Sequence, residues 1–278
     1  MCSVNKDKYS NIMEEIVNDI FYSNVSYRGK IAIARQLAEI ILRIILDYPA
    51  QTNLMLGDKR KVIPLIKSKD LKNKTGDFLY KTVDELRQLG NMKTHTKELN
   101  VTTKEELDQF LDILYRLMAY LFIDYFCSKN KFSDNPDVGL FSVLPPIIRF
   151  ITLEKLSEIY PDNVFIWYKL GLVTLKKSNI DIAIEWVEEN KDFFENMSTN
   201  HPDLNDYNKD NFPNMYLLLI KSIKDVKKKR DLAIYPIYET FEESVKFYKK
   251  LPSNPIAQVQ IPLAPEMKSL LDFLFYGH

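Results

Sequence analysis

A short segment around residue 90 combines the side chains that can cleave a phosphodiester. Asp84, Arg87, Asn91 and His95 share one face of a predicted helix, within an arc of roughly 80° at about 100° per residue. An imidazole can exchange a proton near neutral pH, and a guanidinium can stabilise phosphate oxygens through a forked pair of hydrogen bonds. Arg87, Asn91 and His95 are therefore candidate catalytic residues, with Asp84 in support. The alternative, which also stays open, is the solvated polar face of an ordinary amphipathic helix.

The spacing of this row raises a geometric question. Along a straight helix Arg87 and His95 are separated by about 12 Å of rise, too far for a tight pair on one chain. Gly90 lies between them and costs about 1 kcal/mol inside a helix, which predicts a kink or a close packing contact at that position. A second subunit is another way to bring the two groups together.

Positive charge is concentrated around the row. Residues 51–104 carry twelve Lys/Arg against six Asp/Glu, although the 38 basic and 38 acidic residues of the whole chain cancel. Such a local surplus suits an RNA backbone. We therefore treat Lys93 and Lys97, which flank His95, as candidate RNA-binding residues.

An apolar segment upstream contains a second informative pattern. Residues 26–48 predict a long helix that is apolar almost all round, interrupted by Arg35, Glu39 and Arg43 at intervals of four. One interpretation is a solvated ladder worth a few tenths of a kcal/mol per pair. We favour a partly sheltered ion-pair line, in which Arg35 and Glu39 support the fold and help to orient the catalytic row.

Composition excludes several classes of protein. The chain has 278 residues, of which 46% are hydrophobic, so it can bury a sizeable core and global disorder is not expected. Two cysteines cannot form a disulfide framework, and no Cys/His spacing suggests zinc. We expect neither a metal nor a cofactor. No signal segment or membrane span is evident, which predicts a cytoplasmic protein with no membrane partner.

The pattern of the chain predicts an all-α fold in two parts. Residues 1–128 form a helical bundle, residues 129–150 with their Asn, Asp, Gly and Pro cluster form a connector, and residues 151–278 form a C-terminal helical domain. Within the last part, residues 161–195 match a tetratricopeptide-like hairpin. There the small residues Gly171 and Ala183 are expected where its two helices touch.

Taken together, residues 10–127 resemble the HEPN superfamily of small helical bundles. The resemblance is carried by the R-x-x-G-N-x-x-x-H signature (Arg87, Gly90, Asn91 and His95), by the upstream R-x-x-x-E (Arg35 and Glu39) and by the L-G-D-K segment at 56–59. It implies a homodimer in which two Arg/His rows face one cleft. It also implies metal-independent cleavage of RNA, either tRNA or single-stranded RNA, by a toxin or effector of prokaryotic anti-phage defence.

The same resemblance assigns roles to the residues and leaves a second function open. His95 would act as general base or acid, Arg87 would stabilise the charge on the phosphoryl oxygens, and Asn91 would position the phosphate. The C-terminal helices would sense a signal or bind a protein partner. Seven residues separate Arg87 from His95, more than in the well-studied nucleases of the superfamily. The alternative is therefore a non-catalytic adaptor or dimerisation module within a larger defence or nucleotidyltransferase complex.

Overall fold

A computed structural model of the chain describes residues 9–49, 54–94, 101–130, 132–133, 135–202, 204, 206–231, 240–250 and 264–276. Within these residues the backbone forms helices and no β-sheet, which confirms the predicted all-α class. No helix in this part of the chain combines the length and the apolar character needed to cross a membrane. The helices are α1 (Ser10–Phe21), α2 (Tyr27–Ile45), α3 (Lys59–Asn73), α4 (Phe78–Thr94), α5 (Lys104–Lys129), α6 (Pro136–Phe141), α7 (Pro146–Ile159), α8 (Val164–Lys177), α9 (Ile180–Glu189), α10 (Lys191–Asn196), α11 (Asp206–Asn211), α12 (Met215–Asp231), α13 (Phe241–Lys250) and α14 (Pro265–Tyr276).

The chain divides into two compact units. The first unit consists of Met1–Lys129 together with Lys268–His278, and the second unit is Asn130–Met267. This division differs from the sequence-based one in two places. Most of α14 groups with the first unit, and the stretch expected to be a connector contains α6 and the start of α7. Pro136 and Pro146 mark breaks in a sequence pattern, but both stand at the first turn of a helix, where the missing N–H would have no partner anyway.

In the first unit, α2 lies against α1, α4 and α5, and α4 also packs on α3 and α5. Most of the apolar surface of α2 is buried, as its composition predicts, and α5 is buried on almost every side over its second half. The start of α5 is fixed by a capping box, which the spacing of Thr103 and Glu106 in the sequence predicts. Thr103 N donates to Glu106 Oε2 at 3.0 Å, and Glu106 N donates to Thr103 Oγ1 at 3.4 Å. Together α2 and α5 form the support on which α4 rests.

The Lys, Asn and Gly residues of segment 67–76 predict a loop between α3 and α4, and the structure differs from this expectation. Helix α3 continues through Pro64 to Asn73, because its last turn is held by contacts with other helices. Asp70 accepts hydrogen bonds from the backbone N–H groups of Leu79 (3.0 Å) and Tyr80 (2.9 Å), so it caps the N-terminus of α4 from a different helix. Asn73 Nδ2 donates to Asp124 Oδ1 of α5 at 2.8 Å. These bonds fix where α4 begins.

In the second unit, α8 packs against α7, α9 and α12. The α8–α9 hairpin lies within residues 161–195, and each of its helices is capped by an asparagine. Gly171, which the sequence places where α8 touches α9, has its nearest neighbour on α12. A Cβ at Gly171 would lie 2.4 Å from Leu219 Cδ2, so Gly171 makes its close approach to α12. Sequence offsets indicate that a close approach exists but do not identify the partner. The tetratricopeptide character of the hairpin stays a prediction.

Candidate functional site

Helix α4 carries the predicted row, and its first two members form an ion pair. Arg87 donates to Asp84 Oδ1 from both Nε (3.0 Å) and Nη2 (2.6 Å), while Gln88 Nε2 donates to Asp84 Oδ2 at 2.6 Å. The side chains of Arg87 and Asp84 are 18% and 26% exposed. A charge-assisted pair of this kind holds the guanidinium in one orientation. Within the described residues Arg87 Nη1 has no hydrogen-bond partner.

The third member of the row is bonded to the upstream helix. Arg35 Nη1 of α2 donates to Asn91 Oδ1 at 2.6 Å. Arg35 Nε lies 3.8 Å from Glu39 Oε1, and that same carboxylate oxygen accepts a hydrogen bond from Leu56 N at 3.2 Å. One connected set of polar contacts thus joins α2, the segment before α3 and α4. With its oxygen engaged by Arg35, the amide of Asn91 has its NH₂ group left as the donor.

The Arg35–Glu39 line is partly sheltered. The two side chains are 20% and 26% exposed, between a solvated ladder and a buried ion pair. Arg43, the third charge of the line, donates from Nη1 to the carbonyl oxygen of Pro49 at 3.1 Å. Glu39 makes two polar contacts, an ion pair with the Arg35 guanidinium and a hydrogen bond from the backbone N–H of Leu56.

Gly90 explains how closely α2 and α4 approach. Gly90 is buried, and a Cβ placed on it would lie 3.3 Å from Arg35 Cδ and 3.6 Å from Phe110 Cε2. Helix α4 is assigned without a break from Phe78 to Thr94. Of the two possibilities raised by the sequence, the close packing contact is the one observed. The absence of a side chain lets the stem of Arg35 cross α4 beside Asn91.

Three predicted residues are not placed by the structure. His95 and Lys97 lie outside the described residues, and of Lys93 only the backbone at the end of α4 is described. The structure thus brings together Arg35, Glu39 and Asn91, and separately Arg87 with Asp84. The roles assigned to His95, Lys93 and Lys97 stay predictions.

Two polar features of the first unit are absent from the sequence-based analysis. Arg116 of α5 forms a forked ion pair with Glu85 of α4 through both of its terminal nitrogens. Between α3 and α5, Asp124 binds Asn73 and, at 3.0 Å, Lys69 Nζ. No local spacing could reveal these pairs, because the partners are about 30 to 55 residues apart in the sequence. Burial also raises the pKa of Asp70, against the lowering effect of its hydrogen bonds. The burial of Asp70 follows from its position as the cap of α4.

The described residues form a small crevice beside the first two members of the row. A crevice between α3 and α4, lined partly by Val83, Asp84 and Arg87, has a volume of about 10 Å³. That is about the room needed for one water molecule. Within the described residues, no three His, Cys, Asp or Glu side chains are grouped so that they could hold a metal ion.

Comparison with known protein families, with curated proteins and with solved structures finds no significant match to this chain.

Proposed function

We propose that this protein is a HEPN-type, metal-independent endoribonuclease that acts as a cytoplasmic toxin or effector in prokaryotic anti-phage defence. The observation that carries the proposal is the 2.6 Å hydrogen bond from Arg35 to Asn91. It joins the upstream R-x-x-x-E segment to the R-x-x-G-N-x-x-x-H helix across 56 positions of the sequence. Two segments that only a family pattern relates are thus in direct contact, and Gly90 of the same signature provides the space for that contact.

The proposed reaction uses the ribose of the RNA as nucleophile. The 2′-OH attacks the adjacent phosphorus, the bond to the 5′-oxygen breaks, and the products are a cyclic phosphate and a free 5′-OH. His95 takes the proton from the 2′-OH or gives one to the leaving oxygen, and Arg87 stabilises the charge on the phosphoryl oxygens. Asn91, oriented by Arg35, donates its NH₂ group to the phosphate.

The proposal includes a homodimer. The small crevice beside Arg87 cannot hold a nucleotide, and in this proposal a second copy of the chain builds the other wall of a cleft. Met92, which follows Asn91, is 52% exposed and would be covered by such a contact. Replacement Met92→Glu should shift the protein from dimer to monomer in sedimentation equilibrium, and should lower RNA cleavage in parallel. Cleavage that persists in a monomeric variant would contradict the shared cleft.

A second candidate function is a non-catalytic adaptor, a dimerisation module within a larger defence or nucleotidyltransferase complex. The pairing of Arg87 with Asp84 favours it, because two guanidinium nitrogens already bind a carboxylate of the same helix. In that case the row stabilises α4, and the C-terminal helices bind the protein partner.

An RNA cleavage assay separates the two functions. Purified protein is incubated with total tRNA or single-stranded RNA in EDTA, and the cleaved ends are analysed for a cyclic phosphate. For a nuclease, His95→Ala should lower the rate by roughly 10²–10⁴ and Arg87→Ala should do likewise. His201→Ala and Arg60→Ala are the matched controls, since each removes the same residue type outside the signature and Arg60 is exposed.

The outcomes are distinct. Loss of cleavage in the two signature variants, with unchanged helix content and oligomeric state, supports the nuclease. Equal cleavage by wild type and His95→Ala would assign the activity to another site or to a contaminant. No cleavage of either RNA would favour the adaptor.

A further inference from the structure

A small cavity in the second unit is lined by three cationic side chains. It lies between α6, α7 and α8 and has a volume of about 60 Å³. Arg149 comes from α7, while Lys169 and Lys176 stand seven residues apart on one face of α8. Among the described residues, no carboxylate lines this cavity. The rest of its wall is mainly apolar, with Phe132 and Phe141 among the contributors.

Arg149 is the most unusual of the three. It is only 6% exposed, and its Nε atom is buried without a hydrogen-bond partner within the described residues. No ion pair to Arg149 is found there either. A guanidinium cannot relieve burial by losing its proton, so it stays charged. An uncompensated charge in such a place is strongly unfavourable unless an anion accompanies it.

The two lysines add to the positive field. The ammonium group of Lys169 lies 4.8 Å from the centre of the Phe165 ring and 5.9 Å from that of Tyr168, so aromatic faces hold it near the cavity. Burial, together with the charges of Arg149 and Lys169, lowers the pKa of Lys176 to about 8. The like charges of Arg149 and Lys176 repel each other across this apolar-walled space. An anion in the cavity would remove that repulsion.

We propose that this cavity binds a phosphate group, with Arg149 as the central ligand and with Lys169 and Lys176 as flanking cations. The size supports this choice, because the volume is several times the 10–15 Å³ that one water needs and suits an oxyanion of five heavy atoms. The guanidinium fork matches two oxygens of a tetrahedral anion, and the ammonium groups act as point charges on the others. A nucleoside is too large to enter, so a bigger phosphorylated ligand inserts only its terminal phosphate. This inference does not depend on the proposed nuclease activity.

The test is equilibrium dialysis of the full-length protein with radiolabelled inorganic phosphate at constant ionic strength. We expect saturable binding of about one phosphate per chain, with chloride unable to compete. Saturating phosphate should raise the melting temperature by roughly 5 °C or more at 100-fold above Kd. A phosphate monoester such as a sugar phosphate forms the second arm. Tighter binding of the ester than of inorganic phosphate would identify a phosphorylated metabolite as the source.

Three variants decide the assignment. Arg149→Met should abolish phosphate binding and should raise the melting temperature without phosphate, since it removes a buried, unpaired charge. Lys176→Met should weaken binding at least tenfold. Lys177→Met is the matched control and should bind as wild type does, because Lys177 does not line the cavity and its ammonium lies over the Phe150 ring. No saturable binding, or equal binding by wild type and both cavity variants, would overturn the proposal.

Discussion

The contact between Arg35 and Asn91 can be measured directly with a double-mutant cycle. Asn91→Ala removes the acceptor, and Arg35→Met removes the donor while it keeps most of the stem that packs on Gly90. A hydrogen bond to a charged group contributes about 1.5–3 kcal/mol. Because the Arg35 side chain is 20% exposed, we expect a coupling energy near the lower limit, about 1.5 kcal/mol.

The assay is urea unfolding of wild type, both single variants and the double variant, followed by far-UV circular dichroism. The only two tryptophans, Trp167 and Trp186, belong to the second unit, so their fluorescence recorded in parallel reports that unit separately. This matters because a protein with two units need not unfold in one step. The coupling energy is then taken from the circular-dichroism transition that the fluorescence does not follow.

A second cycle at Lys104 and Asp108 is the matched control. This pair also belongs to the first unit, but its side chains are 69% and 55% exposed and its atoms are 3.8 Å apart. We expect about 0.3–0.5 kcal/mol there. If the coupling between Arg35 and Asn91 is no larger than this control value, the bond does not tie α2 to α4. The main support for the proposed function is then lost.

Three further predictions concern stability. Glu39→Ala removes the acceptor of the Leu56 N–H and the partner of the Arg35 guanidinium, so it should lower the free energy of unfolding in urea by about 1–3 kcal/mol. Glu39→Gln should recover much of this loss. An unchanged urea midpoint in Glu39→Ala would show that the Arg35–Glu39 line is merely solvated. Gly171→Ala places a methyl group 2.4 Å from Leu219 Cδ2 and should lower the free energy of unfolding, measured by thermal unfolding, by about 1–3 kcal/mol. Gly57→Ala is the control and should change this free energy little, because a Cβ at Gly57 has no atom within 4 Å. Finally, the pKa of Lys176 is about 8 in the folded protein, against an ordinary value of 10.5. Between these two pH values the unfolded chain binds more protons than the folded protein, so the free energy of unfolding should rise with pH. Lys176→Met should flatten this rise, and an equal slope in that variant would contradict the prediction.

The sequence predicted those features of the helices that depend on interactions between residues close together in the chain. The burial of the apolar helix α2 and the capping box before α5 both depend on nearby residues, and the structure confirms both. The extent of α3 could not be predicted, because its last turn depends on Asn73 reaching Asp124 about fifty residues away. Helix α6 and the first half of α7 were not predicted, because prolines disrupt a sequence pattern but are tolerated in the first turn of a helix.

The candidate site shows the same limit. Sequence reasoning selected Arg35 and Asn91 independently and expected the Arg35 line to orient the row, but no spacing rule identified the bond between them. The pairing of Arg87 with Asp84 is at helical spacing and could have been expected from an i, i+3 rule. The cationic cavity was not visible in the sequence at all, because Arg149 and Lys176 become neighbours only when α7 packs on α8.

The way α4 is attached has a mechanical consequence. Its first turn is fastened to α3 by Asp70, its middle to α5 by the forked pair of Glu85 and Arg116, and its far end to α2 by Arg35 and Asn91. A displacement of α4 is therefore resisted by polar contacts with three helices, α2, α3 and α5. A shift of α4 relative to α2, α3 and α5 therefore requires that at least one of these three contacts break.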